Sequence, residues 1–120
     1  MAGKFCVSLT CSKDNTDKAT VAFVVANAAV ASEKQTMIFL SIEGVRISQK
    51  GFADDIHEAG FDPLKTLVEK FVKAGGLIYV CSPCFKKRSL NDQNLIPGAT
   101  IVGGAKLVEW LSDGSGCVSY

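Results

Sequence analysis

Two cysteines separated by two residues, Cys81 and Cys84, give the strongest chemical signal in the sequence. They follow the apolar run 77–80 and precede the basic run 86–88. Positive charge near a cysteine favours the thiolate, which is the reactive form of the side chain. The pattern therefore predicts a nucleophilic, sulfur-accepting cysteine at the end of a buried strand.

Three other interpretations of this pair stay open. A structural zinc site needs four ligands, and the sequence offers a single CxxC motif and one histidine, His57. A thioredoxin-like dithiol normally follows the first strands of its fold, whereas this pair follows the third predicted strand. Buried cysteines are also often inert, so the two side chains would then simply pack at a strand end. We expect no metal and no cofactor.

The residues after the pair have a predicted supporting role. A helix that begins at Pro83 or Cys84 would place its partial positive charge beside the sulfur atoms. The basic run would strengthen this effect if its side chains turn inward, and would otherwise form a solvated surface that docks an acidic partner. Its members are Lys86, Lys87 and Arg88.

The composition fits one soluble globular domain over residues 1–120. Hydrophobic residues make up 48% of the chain and charged residues 21%, which is typical of this class. The formal net charge is +1, so neither nucleic acid nor a membrane is an expected partner. The most apolar stretch, 19–31, is shorter than the roughly 20 residues that cross a bilayer and predicts a buried helix.

The remaining cysteines, Cys6, Cys11 and Cys117, bring the total to five. An odd number without a visible secretory signal does not suit a secreted disulfide framework, so we expect a cytoplasmic protein with mostly free thiols. Cys6 and Cys117 fall within predicted strands and are expected to be structural. Cys11 lies at a predicted strand end and is a candidate third thiol of the site.

Apolar runs alternate with helical patterns along the chain. The predicted strands are 4–10, 36–42, 77–80, 99–102 and 117–120. The main predicted helices are 17–32, 63–74 and 104–113. The connection 45–60 is expected to hold a short helix and to serve as a lid or a partner surface. Strands that alternate with helices predict an α/β three-layer sandwich, with a mainly parallel five-stranded sheet and helices on both faces.

Local signals refine each of the main helices. The polar stretch 12–17, which precedes the first main helix, is rich in candidates for its N-cap. Asp62 is predicted to cap the second main helix, and the glycine pair 75–76 to end it. The apolar face of the last helix is predicted to consist of Leu107, Val108 and Leu111, with Trp110 beside it.

Ligands of open parallel sheets bind outside the carboxyl ends of the strands. Four predicted strand ends carry residues of interest: Cys11, Glu43 with Gly44, Cys81, and Gly103 with Gly104. We therefore expect these residues to lie along one edge of the sheet. The last glycine pair precedes a helix and is a weak candidate for holding an anion.

Taken in order, these motifs resemble the DsrE/DsrF-like sulfur-relay proteins over nearly the whole chain. The matching segments are 14–18, 39–45, 75–88 and 98–99. The resemblance implies the three-layer α/β fold of that family and a homo-oligomer, either a trimer or a hexamer. It also implies a sulfurtransferase-like carrier that works with sulfur donor and acceptor proteins.

The resemblance extends to the position of the active cysteine. In the resemblance, sulfur carriers of the TusD type place their active cysteine at the position of Cys81. YchN-like members place theirs at the position of Cys84, and this sequence has a cysteine at both positions. The chain departs from the family's usual Arg-Gly by carrying Arg88-Ser89, which puts the local turn in question. We expect sulfane sulfur to be accepted at Cys81 or Cys84, with a preference for Cys81 because it is the first residue past the strand.

Two other functions stay open. The chain would also suit a non-catalytic oligomeric scaffold or binding module that uses the same cysteines only as a redox sensor. A dithiol reductase is a further alternative, in which both cysteines would be required for reduction of a model disulfide.

Overall fold

The computed structural model describes residues 3–120 and contains one five-stranded sheet. The strands are β1 (Lys4–Leu9), β2 (Gln35–Leu40), β3 (Leu77–Cys81), β4 (Ala99–Val102) and β5 (Gly116–Ser119). The α-helices are α1 (Thr16–Ala31), α2 (Leu64–Lys73), α3 (Ser82–Lys87) and α4 (Gly104–Ser112). Three short 3-10 helices lie at Ile42–Ser48, Phe52–Asp55 and Asp92–Asn94. The α/β fold predicted from the sequence is confirmed.

The strand order is β4-β3-β2-β1-β5, and every neighbouring pair is parallel. The sheet is thus parallel throughout rather than mainly parallel. All five strands therefore end at the same edge, as the sequence predicted for the first four. This carboxyl edge positions the candidate site.

Helices cover both faces of the sheet. On one face, α1 and α2 pack over the larger part of the core, where the rings of Phe23 and Phe71 meet edge to face at 6.0 Å. On the other face, Trp110 of α4 packs against a smaller cluster that includes Cys6 and Phe39. The predicted apolar face of α4 was partly wrong, because Val108 is 65% exposed and Trp110 is buried.

The helix ends agree with the sequence signals in two of three cases. Asn15 caps α1, since its side chain accepts a hydrogen bond from the Lys18 backbone N–H. Gly75 ends α2 with φ of +97°, a conformation that glycine adopts without strain. The predicted cap at Asp62 is wrong: the N-cap residue is Pro63, which makes no side-chain capping bond.

The chain leaves β2 earlier than its apolar run predicted. The strand ends at Leu40, and Ile42 has φ of +55° with a side chain that is 49% exposed. The connection that follows forms two 3-10 helices instead of a single short helix. Within residues 3–120, no helix combines the length and the apolar character needed to cross a bilayer.

Candidate active site

Cys81 is both the last residue of β3 and the N-cap residue of α3. Pro83 lies in the first turn of α3, where its fixed φ suits the start of a helix. Cys84 follows three residues later in the first turn of α3, so its backbone N–H lies near the Cys81 sulfur. The Cys84 side chain is also near enough to act on the pKa of Cys81, and both side chains are half-buried.

The electrostatics at Cys81 differ from the sequence-based expectation of a favoured thiolate. Burial raises the pKa of the Cys81 thiol, and the neighbouring Cys84 side chain adds to the increase. The backbone N–H of Cys84 and the charge of Arg88 lower it by a smaller amount. The net result is a raised pKa, so Cys81 is a thiol at neutral pH and must lose its proton before it reacts.

Arg88 is the one member of the basic run that turns inward. Its side chain is only 11% exposed, and its Nε donates a 2.8 Å hydrogen bond to Glu43 Oε2. Its Nη1 donates a 3.2 Å bond to the carbonyl oxygen of Cys84. Arg88 thus connects the turn that carries the cysteines to the segment that follows β2.

Glu43 accepts bonds from two arginines at once. Arg46 Nε lies 2.8 Å from its other carboxylate oxygen, Oε1. The hydrogen bonds from Arg88 and then Arg46 lower the pKa of Glu43. The carboxylate is therefore ionised at neutral pH and holds Arg88 beside the cysteine pair.

The lysines of the basic run do not take part in this network. Lys86 and Lys87 are exposed on α3. Within residues 3–120, neither forms an ion pair. Their geometry matches the solvated surface rather than an inward-facing group that acts on the sulfur atoms.

Gly44 allows the first 3-10 helix to approach the end of β1. A Cβ atom at this position would lie 2.3 Å from the carbonyl oxygen of Leu9, a separation that no side chain tolerates. The backbone of Cys11 is the next neighbour on the same side. The role of Gly44 is therefore close packing that fixes where Glu43 lies.

Cys11 and Gly103 lie at the predicted edge but outside the Cys81 network. The strand β2 lies between β1, which precedes Cys11, and β3, which ends at Cys81, so the two strands are two spacings, roughly 10 Å, apart. Its Sγ lies 3.7 Å from Thr10 Oγ1. Gly103 directly follows Val102, the residue paired with Cys81, but it lies in open space at the N-cap of α4.

Three features near the site were not predicted from the sequence. Arg46 was missed, although its position three residues after Glu43 is a signal for a helical ion pair. Ile42 and Ser89 both adopt left-handed backbone conformations, with φ of +55° and +52°. Ser89, which stands where the family's usual Arg-Gly has glycine, thus keeps a left-handed backbone conformation that favours glycine. That conformation is strained for serine.

The arrangement of possible metal-binding side chains gives no support to the zinc interpretation. Across residues 3–120, no three histidine, cysteine, aspartate or glutamate side chains converge in a way that could hold a metal ion. The site that remains is a pair of thiols at the start of α3, with the backbone N–H of Cys84 and the inward-facing guanidinium group of Arg88 nearby.

Comparison with known proteins places the sequence in a family. The model of the DsrE/DsrF-like family matches residues 3–120. Uncharacterized protein MJ0760 from Methanocaldococcus jannaschii is 31% identical over 103 residues, which cover 86% of this chain but only 38% of that relative. Uncharacterized protein MJ0989 from the same organism is 25% identical over 117 residues, covering 98% of this chain and 99% of the relative.

Solved structures show the same fold at low sequence identity. The YchN protein from E. coli superposes with a TM-score of 0.71 and 14% identity, covering 98% of this chain and 99% of its own. MTH1491 from Methanobacterium thermoautotrophicum, a protein of unknown function, gives a TM-score of 0.69 at 11% identity with full coverage of both chains.

Proposed function

The chain belongs to the DsrE/DsrF-like family, and we propose that it is a small cytoplasmic sulfur carrier that binds sulfane sulfur as a persulfide on the Cys81–Cys84 pair. The observation that carries the proposal is the position of Cys81 at the N-cap of α3, near the Cys84 backbone N–H and the inward-facing Arg88, which bonds the Cys84 carbonyl. These groups would stabilise a sulfur anion at Cys81, whether thiolate or persulfide.

The loading step exchanges one sulfur–sulfur bond for another. The Cys81 thiolate attacks the outer sulfur of a donor persulfide and forms a new S–S bond. The donor's own S–S bond breaks, and its electron pair leaves with the donor thiolate, which takes up the proton lost by Cys81. No net oxidation or reduction occurs, so neither a cofactor nor an external oxidant is needed.

The persulfide then has two possible fates. An acceptor thiol that attacks the outer sulfur takes this sulfur away and regenerates Cys81. Alternatively, Cys84 attacks the inner sulfur, which forms a Cys81–Cys84 disulfide and releases hydrogen sulfide. The proximity of Cys84, in the first turn of α3, to Cys81 at the N-cap of that helix supports this second, resolving role for Cys84.

Sulfur donor and acceptor proteins are the partners of this function. The exposed Lys86 and Lys87 follow Cys84 on α3, so they suit a partner with an acidic surface. We include assembly into a homo-oligomer, a trimer or a hexamer, in the proposal. Half-buried valines on the largely apolar α1, such as Val21, are consistent with a further subunit contact.

The proposal is tested by intact mass after incubation with polysulfide. The Cys11→Ser/Cys117→Ser double variant is the suitable background, because Cys117 is exposed and Cys11 is half-buried, whereas Cys6 is fully buried. We expect the gain of one sulfur atom that a mild reductant reverses. Persistent absence of added sulfur, both on the folded protein and on its Cys84→Ser variant that lacks the resolving thiol, would refute sulfur carriage.

The proximity of the two thiols also favours a second candidate, a redox-sensing or binding module without sulfur carriage. Oxidation by a peroxide or a disulfide reagent would join Cys81 and Cys84, and the bond would alter assembly. This candidate predicts a loss of two hydrogen atoms in the mass experiment and no gain of sulfur.

A further inference from the structure

A cavity of about 390 Å³ opens between α2 and the segments 47–54 and 96–97. None of the described residues that line it belongs to the Cys81 network. Its volume falls at the small end of the range of about 300–1,000 Å³ that is typical of small-molecule sites. The cavity is therefore a separate candidate for ligand binding.

Backbone hydrogen bonds build one wall of this cavity in the free protein. The Lys50 N–H donates to the Asn94 carbonyl at 2.9 Å, and the Ile96 N–H donates to the Ser48 carbonyl at 2.8 Å. These bonds join two segments that are distant in sequence, and α2 forms the opposite wall. A ligand would not have to order this wall, which lowers the entropic cost of binding.

The interior of the cavity is apolar. Ile47, Ala53 and Val68 are buried at its floor, and Val72 and Ile96 are half-buried beside them. Aliphatic side chains at every one of these positions favour an aliphatic ligand group, because burial removes its surface from water.

The rim of the cavity is charged, with a positive balance. The ammonium groups belong to Lys50, Lys65 and Lys73, and the carboxylates to Asp54 and Glu69. Lys65 Nζ lies 4.0 Å from Asp54 Oδ1, so these two charges largely compensate each other. The remaining rim carries two ammonium groups against one carboxylate, which favours an anionic ligand.

We propose that this cavity binds a small amphipathic anion, an aliphatic chain that ends in a carboxylate. The chain would fill the apolar floor, and the carboxylate would lie between Lys50 and Lys73. This assignment is independent of sulfur carriage, since it shares no residue with the cysteine pair.

Octanoate is a suitable probe, with octanol and octylammonium as matched ligands of the same chain length. Each is titrated into the full chain while the backbone amide resonances are followed by NMR. We expect shifts in segment 47–54 and in α2, and octanoate binding that is roughly two- to five-fold tighter than that of octanol. Octylammonium should bind more weakly than either.

Three variants locate the binding site. Val72→Phe at a half-buried position fills the cavity and should abolish the octanoate shifts, while Lys73→Gln should weaken binding roughly two- to five-fold. Lys70→Gln is the control, because Lys70 is exposed on the same helix but does not line the cavity. The proposal is overturned if octanoate shifts no amide, if octylammonium binds as tightly, or if folded Val72→Phe or Lys73→Gln binds octanoate like the wild type.

Discussion

Arg88 Nε donates a 2.8 Å hydrogen bond to Glu43 Oε2, across 45 positions of sequence. The bond joins the 3-10 helix after β2 to the turn that carries Cys84, whose carbonyl accepts a second bond from the same guanidinium group. Arg88 is thus held in place on one side by a carboxylate and on the other by the backbone of the cysteine motif. Its charge acts on Cys81 and lowers the pKa of that thiol.

Replacing Arg88 by glutamine should slow the reaction of Cys81 with iodoacetamide. The charge of Arg88 lowers the pKa of Cys81, so its removal raises that pKa and reduces the thiolate fraction at a given pH. We expect a rate roughly two- to five-fold lower at mildly alkaline pH. The measurement uses a Cys84→Ser background, so that a single thiol of the pair titrates.

Lys87→Gln serves as the control for this comparison because Lys87 is the exposed neighbour of Arg88. It should leave the alkylation rate of Cys81 unchanged. In all three proteins the rate should keep rising with pH beyond the range of an ordinary cysteine, since burial raises the Cys81 pKa. An equal effect of the two substitutions would mean that Arg88 acts only as part of the general surface charge.

Gly44→Ala should destabilise the fold, whereas Gly103→Ala should be nearly neutral. A Cβ atom at Gly44 would lie 2.3 Å from the Leu9 carbonyl oxygen, while Gly103 is in open space. We expect a loss of about 1–3 kcal/mol in the free energy of unfolding for the first variant. The second should change it by less than about 1 kcal/mol.

Urea unfolding of the two glycine variants checks this pair of predictions. The same proteins also test the weak anion-site interpretation of Gly103. Retention of sulfur loading by Gly103→Ala would leave that glycine without a role in the site. A stable, well-folded Gly44→Ala protein would contradict the packing of Glu43 described here.

Ser89→Gly should stabilise the protein. Ser89 follows the end of α3 with φ of +52°, and its neighbour Leu90 donates a backbone hydrogen bond to the Phe85 carbonyl. This is the position where helices most often carry glycine. Relief of the left-handed strain should raise the free energy of unfolding by about 0.5–1 kcal/mol.

Ser89→Ala distinguishes backbone strain from loss of the hydroxyl group. Alanine keeps the strain, so its thermal midpoint should lie at or below that of the wild type. If Ser89→Gly and Ser89→Ala gain stability equally, then the serine side chain, and not the left-handed backbone conformation, lowers the stability of the wild type.

The raised pKa of Cys6 should make the folded protein less stable at alkaline pH. Burial, together with the neighbouring Cys117, raises the pKa of Cys6 to about 12. The unfolded chain loses this proton near pH 8.5, roughly the value of a free cysteine. The contribution of Cys6 is therefore complete below that pH and is lost as the pH rises toward the folded value, by up to about 1.4 kcal/mol per pH unit.

Denaturant unfolding of wild type and Cys6→Ala at increasing pH isolates this effect. Other groups titrate in the same range in both proteins, so the difference in slope belongs to Cys6. Parallel stability curves for the two proteins would show that the native state does not hold the Cys6 proton.

The sequence predicted the strands and helices well because their signals are local. The glycine pair 75–76, the run before Cys81 and the cap region before α1 each act within a few residues. The errors at Asp62 and Val108 are also local, but tertiary packing decided them: α2 starts after Pro63, and Trp110 takes the inward position of α4.

The geometry of the site was predicted only in part. Parallel topology brought Cys11, Gly44 and Cys81 to one edge, as expected, but the order of the strands places β2 between the two cysteines. The Glu43–Arg88 bond has no sequence signal, since nothing in a chain pattern relates side chains 45 residues apart. The raised pKa of Cys81 depends on its burial, which the adjacent lysines and arginine did not reveal.

The most direct test is intact mass of Cys81→Ser and Cys84→Ser, each in the Cys11→Ser/Cys117→Ser background, after polysulfide loading and a chase with an acceptor thiol. Sulfur carriage with Cys81 as the acceptor predicts that Cys84→Ser gains one sulfur atom and yields it to the acceptor, while Cys81→Ser gains none. If neither variant nor the parent gains sulfur, and the parent only loses two hydrogen atoms, the protein is not a sulfur carrier.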